Sequence, residues 1–468
     1  MKKISVIVLC LFSLQVCAQY FQNVSSNLPS AAVGGNTMDV QVADFNGDGF
    51  PDIVLAKEYQ RNRLLFNDGS GVFTDATANR LTNVSHDSED IAIADFDGNG
   101  WPDIVFAAED DATHEFYLNT GNGDFTDVSA RLPQFVSNAV VALDVNGDSF
   151  VDLIFGNNGQ NKLFINDGAG FFTDETATRL PVDGNITQDI LLTDVDNDGD
   201  KDLAIGNEDF NKLLINNGSG IFTDETLARL PQGVTMETRK ISRADVNGDG
   251  FDDLFYCNIA SAGAPDIRDR LYLNDGTGVF TDVTATHLPS ELLHTFDAVF
   301  TDLNNDGSPD LIVGYFSNML PAAFLNDGTG HFSDHSNEYF PAAATGNNIG
   351  LFVADFNGDG EKDLYLGRFQ QTDGLFFTSG QSVDAAENEN LLTVYPNPTS
   401  GSFELDLTGE TGPISITVFD PLGQLVYTEM SETPGKHAID LTDRAAGVYI
   451  LKVSGKLHNE TMKILLRR

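Results

Sequence analysis

Cysteine is scarce in this chain of 468 residues, which has three. Cys10 and Cys17 lie in the apolar N-terminal segment. That leaves Cys257 with no disulfide partner. It stands in the run Leu254-Phe255-Tyr256-Cys257, the setting of a small core residue rather than of a nucleophile. An exported protein without bridges needs another staple or a large core. Basic residues are also few, 26 Lys and Arg against 70 Asp and Glu, giving a net charge of −44. Such a surface repels duplex nucleic acid and anionic membranes. The one sizeable apolar run, residues 4–14, is too short to span a bilayer. Helical periodicity is absent, and so are G-x-S-x-G, H-E-x-x-H and phosphate-loop motifs. With 41% hydrophobic residues the chain still has enough apolar material for a core, which argues against disorder.

The two ends differ from the middle. Lys2 and Lys3, the apolar run and Val16-Cys17-Ala18 have the order of a secretory signal peptide, expected over residues 1–18. Residues 381–392 are polar and are expected to form a linker. From 393 onward, short alternating runs broken by Gly, Pro and turn residues predict a small antiparallel β-sandwich. Tyr395-Pro396-Asn397-Pro398, Asp420-Pro421-Leu422-Gly423-Gln424, Ala446-Gly447-Val448-Tyr449 and Lys463-Ile464-Leu465 carry a resemblance. The segment is similar to the C-terminal sorting domain of the Bacteroidetes type IX secretion system. That resemblance implies export by the type IX machinery to the outer cell surface or the medium, with this domain cut off or used for attachment.

Between the ends the chain repeats at about 50 residues. The element D-x-[DN]-x-[DN]-[GS]-x-x-D begins at Asp44, Asp95, Asp144, Asp194, Asp245, Asp302 and Asp355. A second element, N-[DNT]-G-x-G-x-F-[TS]-D, begins at Asn67, Asn119, Asn166, Asn216, Asn274 and Asn326, and marks a tight hairpin. The unit after Asp355 lacks its F-T-D tail, whereas Phe21-Gln22-Asn23-Val24-Ser25 supplies a tail with no loop before it. An open solenoid has no reason to split one unit between its ends, whereas a closed ring does, because the N-terminal strand completes the last blade. Each repeat reads as four strands, in the first at about 40–43, 53–56, 64–66 and 72–76. The expected fold is all-β: a seven-bladed β-propeller over 19–380, followed by the sandwich.

The acidic loops have the chemistry of a hard-cation site. Oxygen side chains at positions 1, 3, 5 and 9, with the position-7 carbonyl, can wrap Ca²⁺, and Gly at position 6 permits the turn. The proposed ligands are Asp44, Asn46, Asp48 and Asp52; Asp95, Asp97, Asn99 and Asp103; Asp144, Asn146, Asp148 and Asp152; and Asp194, Asp196, Asp198 and Asp202. The remaining loops offer Asp245, Asn247, Asp249 and Asp253; Asp302, Asn304, Asp306 and Asp310; and Asp355, Asn357, Asp359 and Asp363. No sulfur or imidazole is offered, which argues against zinc or copper. Ser149 in the third loop and Asn99 in the second predict weaker sites. Position 12 is apolar every time, so a strand follows the loop, unlike the helix of a helix-loop-helix calcium site. Loop, strand and N-D-G hairpin together resemble the FG-GAP/VCBS repeat family over residues 20–380, with the VCBS-type branch fitting better. The resemblance implies Ca²⁺ in the seven hairpin loops.

The opposite face is built from segments that differ between repeats, which suits ligand binding on a rigid frame. Asp39, Asp90, Asp189 and Asp297 share one offset, five residues before each loop, and are expected near the mouth of the central channel. They read either as strand caps or as a cation or amine site. Arg239, Lys240, Arg243, Arg268 and Arg270 gather in one repeat, either as local charge balance or as a site for an anionic polysaccharide or acidic partner. Tyr59, Phe210, Phe316 and Phe369 are candidates for stacking on sugars. The expected function is non-catalytic binding or adhesion toward a glycan or protein. A polysaccharide lyase on the same frame is the alternative, and its mark would be acids with a histidine such as His114 at the channel mouth.

Overall fold

The computed structural model describes residues 20–30, 33–110, 112–231, 235–259, 268–289, 294–379, 393–395, 401–407, 414–419, 425–431, 436–445, 447–454 and 459–466. The expected leader at 1–18, the linker at 381–392, the Pro396-Asn397-Pro398 motif and the 420–424 turn lie outside these residues. The chain parts into two compact units, Met1–Val383 and Asp384–Arg468.

In the first unit each repeat folds as four antiparallel strands. Blade 1 runs Thr37–Ala43, Asp52–Gln60, Arg63–Asn67 and Phe73–Asp75. The inner strands of the next six blades are His86–Ala94, Ser137–Leu143, Thr187–Thr193, Glu237–Ala244, Thr295–Thr301 and Asn348–Ala354. Each inner strand lies beside the next, and the seventh lies beside the first, so the ring is closed. The outer strand of blade 7 is Phe21–Asn23, with Phe21 opposite Thr378 and Asn23 opposite Phe376. This is the closure that the split repeat predicts. The protein is a seven-bladed β-propeller.

The second strand of every blade reads as a continuous apolar run, as in Asp52-Ile53-Val54-Leu55, because both of its faces are covered by neighbouring blades. Val40, Ile53, Leu55, Leu65 and Phe73 of blade 1 pack with Phe356, Tyr365 and Leu375 of blade 7. Each fully buried aliphatic side chain of this kind contributes about 1.5–3 kcal/mol. Cys257 is wholly buried, and burial pushes its thiol far above the usual range, so it is an inert core residue.

Helix occurs where periodicity cannot reveal it. The segment after each F-T-D tail makes a single turn, as in Thr176–Arg179, Thr226–Arg229 and Thr284–His287. Asp174 accepts a hydrogen bond from the Thr176 N–H at its start. The last residue of the turn reaches the hairpin of the next blade. Arg131 donates to the Gly170 carbonyl at 3.1 Å, Arg179 to Ser219 at 2.6 Å, and Asn27 to Gly71 at 3.2 Å. One turn is too short to show a 3.6-residue pattern.

The second unit has one three-stranded sheet, Thr393–Tyr395, Ser402–Asp406 and Lys436–Asp440, and one four-stranded sheet, Leu425–Ser431, Ile414–Phe419, Gly447–Ser454 and Asn459–Leu466. Phe403, Leu405 and Ile439 of the first share a core with Ile416, Val418, Leu451 and Ile464 of the second, as a sandwich requires.

Candidate functional site

Seven acidic loops occupy one end of the blades, each joining the first strand to the second. In the first loop, Asp44 Oδ2 accepts from the Gly49 N–H at 2.9 Å and Oδ1 from the Gly47 N–H at 2.7 Å. Asn46 Oδ1 accepts from Asp48 N–H, and Asp48 Oδ1 from Phe50 N–H. The position-1 bond to position 6 recurs in all seven loops. Ser149 is held at φ +73° where Gly49 has +89°, so the third loop keeps the turn at the cost of left-handed strain, about 1–2 kcal/mol.

Position 9 is the anchor. Asp52 is fully buried; its Oδ2 accepts from Phe45 N–H at 3.1 Å and its Oδ1 from Asn67 N–H at 2.9 Å. The same pair of bonds holds Asp103, Asp152, Asp202, Asp253 and Asp310, and Thr378 stands in for the asparagine at Asp363. Burial, with the neighbouring loop carboxylates, pushes Asp52, Asp103, Asp253 and Asp363 up to about 7, and Asp152, Asp202 and Asp310 up to about 6. A buried carboxylate beside other carboxylates favours a bound cation. Oxygens of Asp95, Asp97 and Asp103 lie within 4.8 Å of one another, as do those of Asp194, Asp196 and Asp202. In the fourth loop Arg229 also reaches Asp196, at 3.1 Å. This all-oxygen donor set fits a hard divalent cation.

The hairpin asparagines, read from sequence only as turn formers, have a second task. Asn166 Nδ2 donates to Val151 O of its own blade and to Phe96 O in the acidic loop of the preceding blade. Asn67, Asn119, Asn274 and Asn326 make the equivalent bonds. Five of the seven loops are thereby tied to the next blade.

At the other end of the inner strands all seven blades carry a β-bulge. The extra residues are Met38, Glu89, Asn138, Gln188, Arg239, Phe296 and Ile349. A bulge re-aims one side chain out of the alternation, and these seven line a cavity at the channel mouth together with Asp39, Asp90, Asp189, Lys240 and Asp297. The four aspartates do gather there. Three act as caps, but across blades: Asp90 accepts from Val140 N–H at 2.7 Å, Asp189 from Ile241 at 2.8 Å and Asp297 from Leu351 at 2.6 Å. Asp39 accepts instead from Gln41 Nε2. Lys240 Nζ lies 3.2 Å from Asp189. Burial pulls its ammonium down, but Asp189, Asp90, Asp39 and Asp297 outweigh that and hold it well above the usual range. Burial raises Asp297 to about 7. The floor of the mouth therefore carries its own cation.

The basic cluster expected in blade 5 is not one surface. Arg239 faces the mouth and bonds Glu237 and Gln188; Arg243 pairs with Asp252 at the loop end of the same strand. Arg270 is buried within its strand, and Arg268 is exposed with its carbonyl accepting from Asn258. Strand direction separates what chain proximity had joined. Of the aromatic candidates, Phe316 and Phe369 stand 5.9 Å apart, and Phe296 adds a third ring 5.3 Å from Phe316. Tyr59 and Phe210 are exposed elsewhere; the Tyr59 hydroxyl bonds Asp110. His114 is a buried core residue between Phe135 and Phe155, its Nδ1 accepting from Ala108 N–H, and it does not line the mouth. A further acidic group, unmarked by any repeat motif, joins Glu58, Asp87 and Glu89 across blades 1 and 2.

Two family models match the chain. The family model for the FG-GAP-like repeat matches residues 44–106, 95–155, 144–205, 194–256, 245–313 and 302–366. The model for the secretion system C-terminal sorting domain matches residues 393–467. No curated protein matches the chain. Among solved structures, an Agrocybe aegerita lectin that recognises non-reducing terminal N-acetylglucosamine is 18% identical, over 67% of this chain and 84% of that one, with a TM-score of 0.44. BBS1N in complex with ARL6DN is 14% identical, over 78% and 98%, with a TM-score of 0.49. The V. cholerae biofilm matrix protein Bap1 is 13% identical, over 91% and 62%, with a TM-score of 0.32. No helix among the described residues is long and apolar enough to cross a membrane. The chain belongs to the FG-GAP-like repeat family and carries a type IX secretion sorting domain, which implies delivery to the cell surface or beyond.

Proposed function

We propose that this protein is a calcium-stabilised surface or secreted propeller that binds a glycan or protein ligand and catalyses nothing. The observation that carries this reading is the division of labour along each inner strand. One end presents the same oxygen-rich loop seven times, and the other presents a different side chain in every blade. Repetition suits a structural task, and divergence on a fixed frame suits recognition.

Ca²⁺ is the ion that such loops would take outside the cell, held by the carboxylates and amides at positions 1, 3, 5 and 9, and its chemistry there is neutralisation and cross-linking. At millimolar Ca²⁺ and extracellular-type affinity each site contributes ~0.5–1.5 kcal/mol. Up to seven sites give roughly 3–10 kcal/mol, comparable with the net stability of a domain, about 5–15 kcal/mol. The non-catalytic reading leans on the mouth lining, which offers acids but no histidine among the described residues. The test is a pull-down of polymers from the protein's own habitat, with Ca²⁺ and with EGTA. Retention in Ca²⁺, loss in EGTA and unchanged polymer length are expected. Shortened polymer or unsaturated ends would replace this reading with a lyase.

A further inference from the structure

The bulges at the channel mouth recur with a regularity that strand pairing alone does not require. Each follows a Thr, Ser or Asn that stands seven residues before the acidic loop: Thr37, Ser88, Ser137, Thr187, Thr238, Thr295 and Asn348. These residues are buried, whereas the bulged residue after each one differs from blade to blade. The frame therefore holds seven different side chains at one level around the channel.

Their order round the ring is not scrambled. Phe296, Ile349 and Met38 come from blades 6, 7 and 1, which are neighbours, and make an apolar arc. Glu89, Asn138, Gln188 and Arg239 come from blades 2 to 5 and make a polar arc facing it. The Arg239 guanidinium lies over the Phe296 ring, 5.5 Å from its centre, and Phe316 packs against Phe296 at a tilt, so the ring is held in place. On the polar arc Gln188 is already satisfied, donating to Glu208 and accepting from Arg239. Asn138 is not. Its Nδ2 donates to Thr187 O at 3.1 Å, which fixes the amide, while its Oδ1 meets no donor among the described residues although the residue is only 5% exposed. A buried acceptor left in this state gains most from a ligand that brings a donor.

We infer that the channel mouth binds one neutral sugar residue, its C–H face against Phe296 and a hydroxyl or amide N–H donating to Asn138 Oδ1. A pyranose has one apolar face and a rim of hydroxyls, which matches an apolar arc opposite a polar one. Anionic sugars are disfavoured because acids dominate the mouth and its two cations are taken, Arg239 by Glu237 and Lys240 by Asp189. A basic peptide is less suited because the acidic floor is already occupied by Lys240 and by the backbone N–H groups of the next blades. Phe316 and Phe369 continue the aromatic row outward from Phe296 and give a glycan's second residue a surface to follow.

This inference rests on the reading of the propeller as a binding module, and one experiment separates the two. The full chain in millimolar Ca²⁺ is applied to an array of neutral, anionic and amino glycans and of basic peptides, beside Asn138→Ala, Phe296→Ala and the milder Phe296→Leu. Unchanged melting temperatures establish that the variants are folded. Binding of a neutral glycan, weakened at least tenfold by Asn138→Ala and by either Phe296 variant, is expected. Neutral-glycan binding that the variants leave intact overturns the mouth as the site but not the binding module. Binding confined to basic peptides or anionic glycans overturns the sugar and also leaves the module standing. No binding to any probe overturns both.

Discussion

Met38 and Asp44 stand at opposite ends of one inner strand, about 20 Å apart at strand rise, and the two ends are governed by different demands. Around Asp44 every blade repeats the bond from position 6 to the first aspartate and the buried aspartate at position 9, and five of the loops are tied to the next blade by a buried asparagine. Around Met38 the backbone repeats but the side chains do not. On the proposed function, stability is concentrated at the loop end and recognition at the mouth. Substitutions should sort accordingly, with one exception that sharpens the rule.

The exception lies at the seam between blades 7 and 1. Lys57 is buried at the mouth end; its Nζ bonds Thr37 Oγ1 at 2.7 Å and lies 3.7 Å from the buried Asp373. Lys57→Ala leaves that carboxylate without its cation and is expected to cost about 3–5 kcal/mol in denaturant unfolding. A mouth-end position would then be as costly as any loop position, because it closes the ring.

At the loop end, Asp310→Ala removes the acceptor for Leu303 N–H and Asn326 N–H and one proposed ion ligand. A loss of about 3–4 kcal/mol in saturating Ca²⁺ is expected. Asn166→Ala frees the Phe96 and Val151 carbonyls and is expected to cost about 2–3 kcal/mol by the same measurement, without removing any ion ligand. If Asn166→Ala proves neutral, the loops are independent of one another and the contrast between the two ends weakens.

The mouth should respond to pH more than to truncation. Asp297 is raised to about 7 by burial, with Lys240 pulling the other way and Asp39 adding to the rise. Between about pH 4 and 7 the folded protein holds a proton that the unfolded chain has released, so this group's contribution to stability falls as pH rises through that window. In saturating Ca²⁺, Asp297→Asn is expected to flatten the fall in melting temperature, while Asp39, Asp90, Asp189 and Lys240 still face the site. Smallest of all, Met38→Ala should change stability by no more than about 1 kcal/mol.

The loop end is legible in the sequence because its aspartates, glycines and asparagines recur at fixed spacing, and Phe21-Gln22-Asn23 announces the closure of the ring. The mouth was only partly so. Its aspartates share an offset, and the fold brings them to one cavity, but the bulge that aims Met38 or Phe296 inward is a shift in hydrogen-bond register, which residue spacing does not display. The hydroxyl or amide residue seven positions before each loop was the available signal. Arg239 and Arg243 looked like partners because they are neighbours in sequence; one strand carries them to opposite ends.

The central claim is that calcium in the acidic loops holds the ring together, and titrating metal-stripped protein with Ca²⁺ in a calorimeter while following the melting temperature tests it most directly. Close to seven ions per chain and a rise of about 10 °C or more are expected. One ion or none, or a melting temperature indifferent to Ca²⁺, would contradict it.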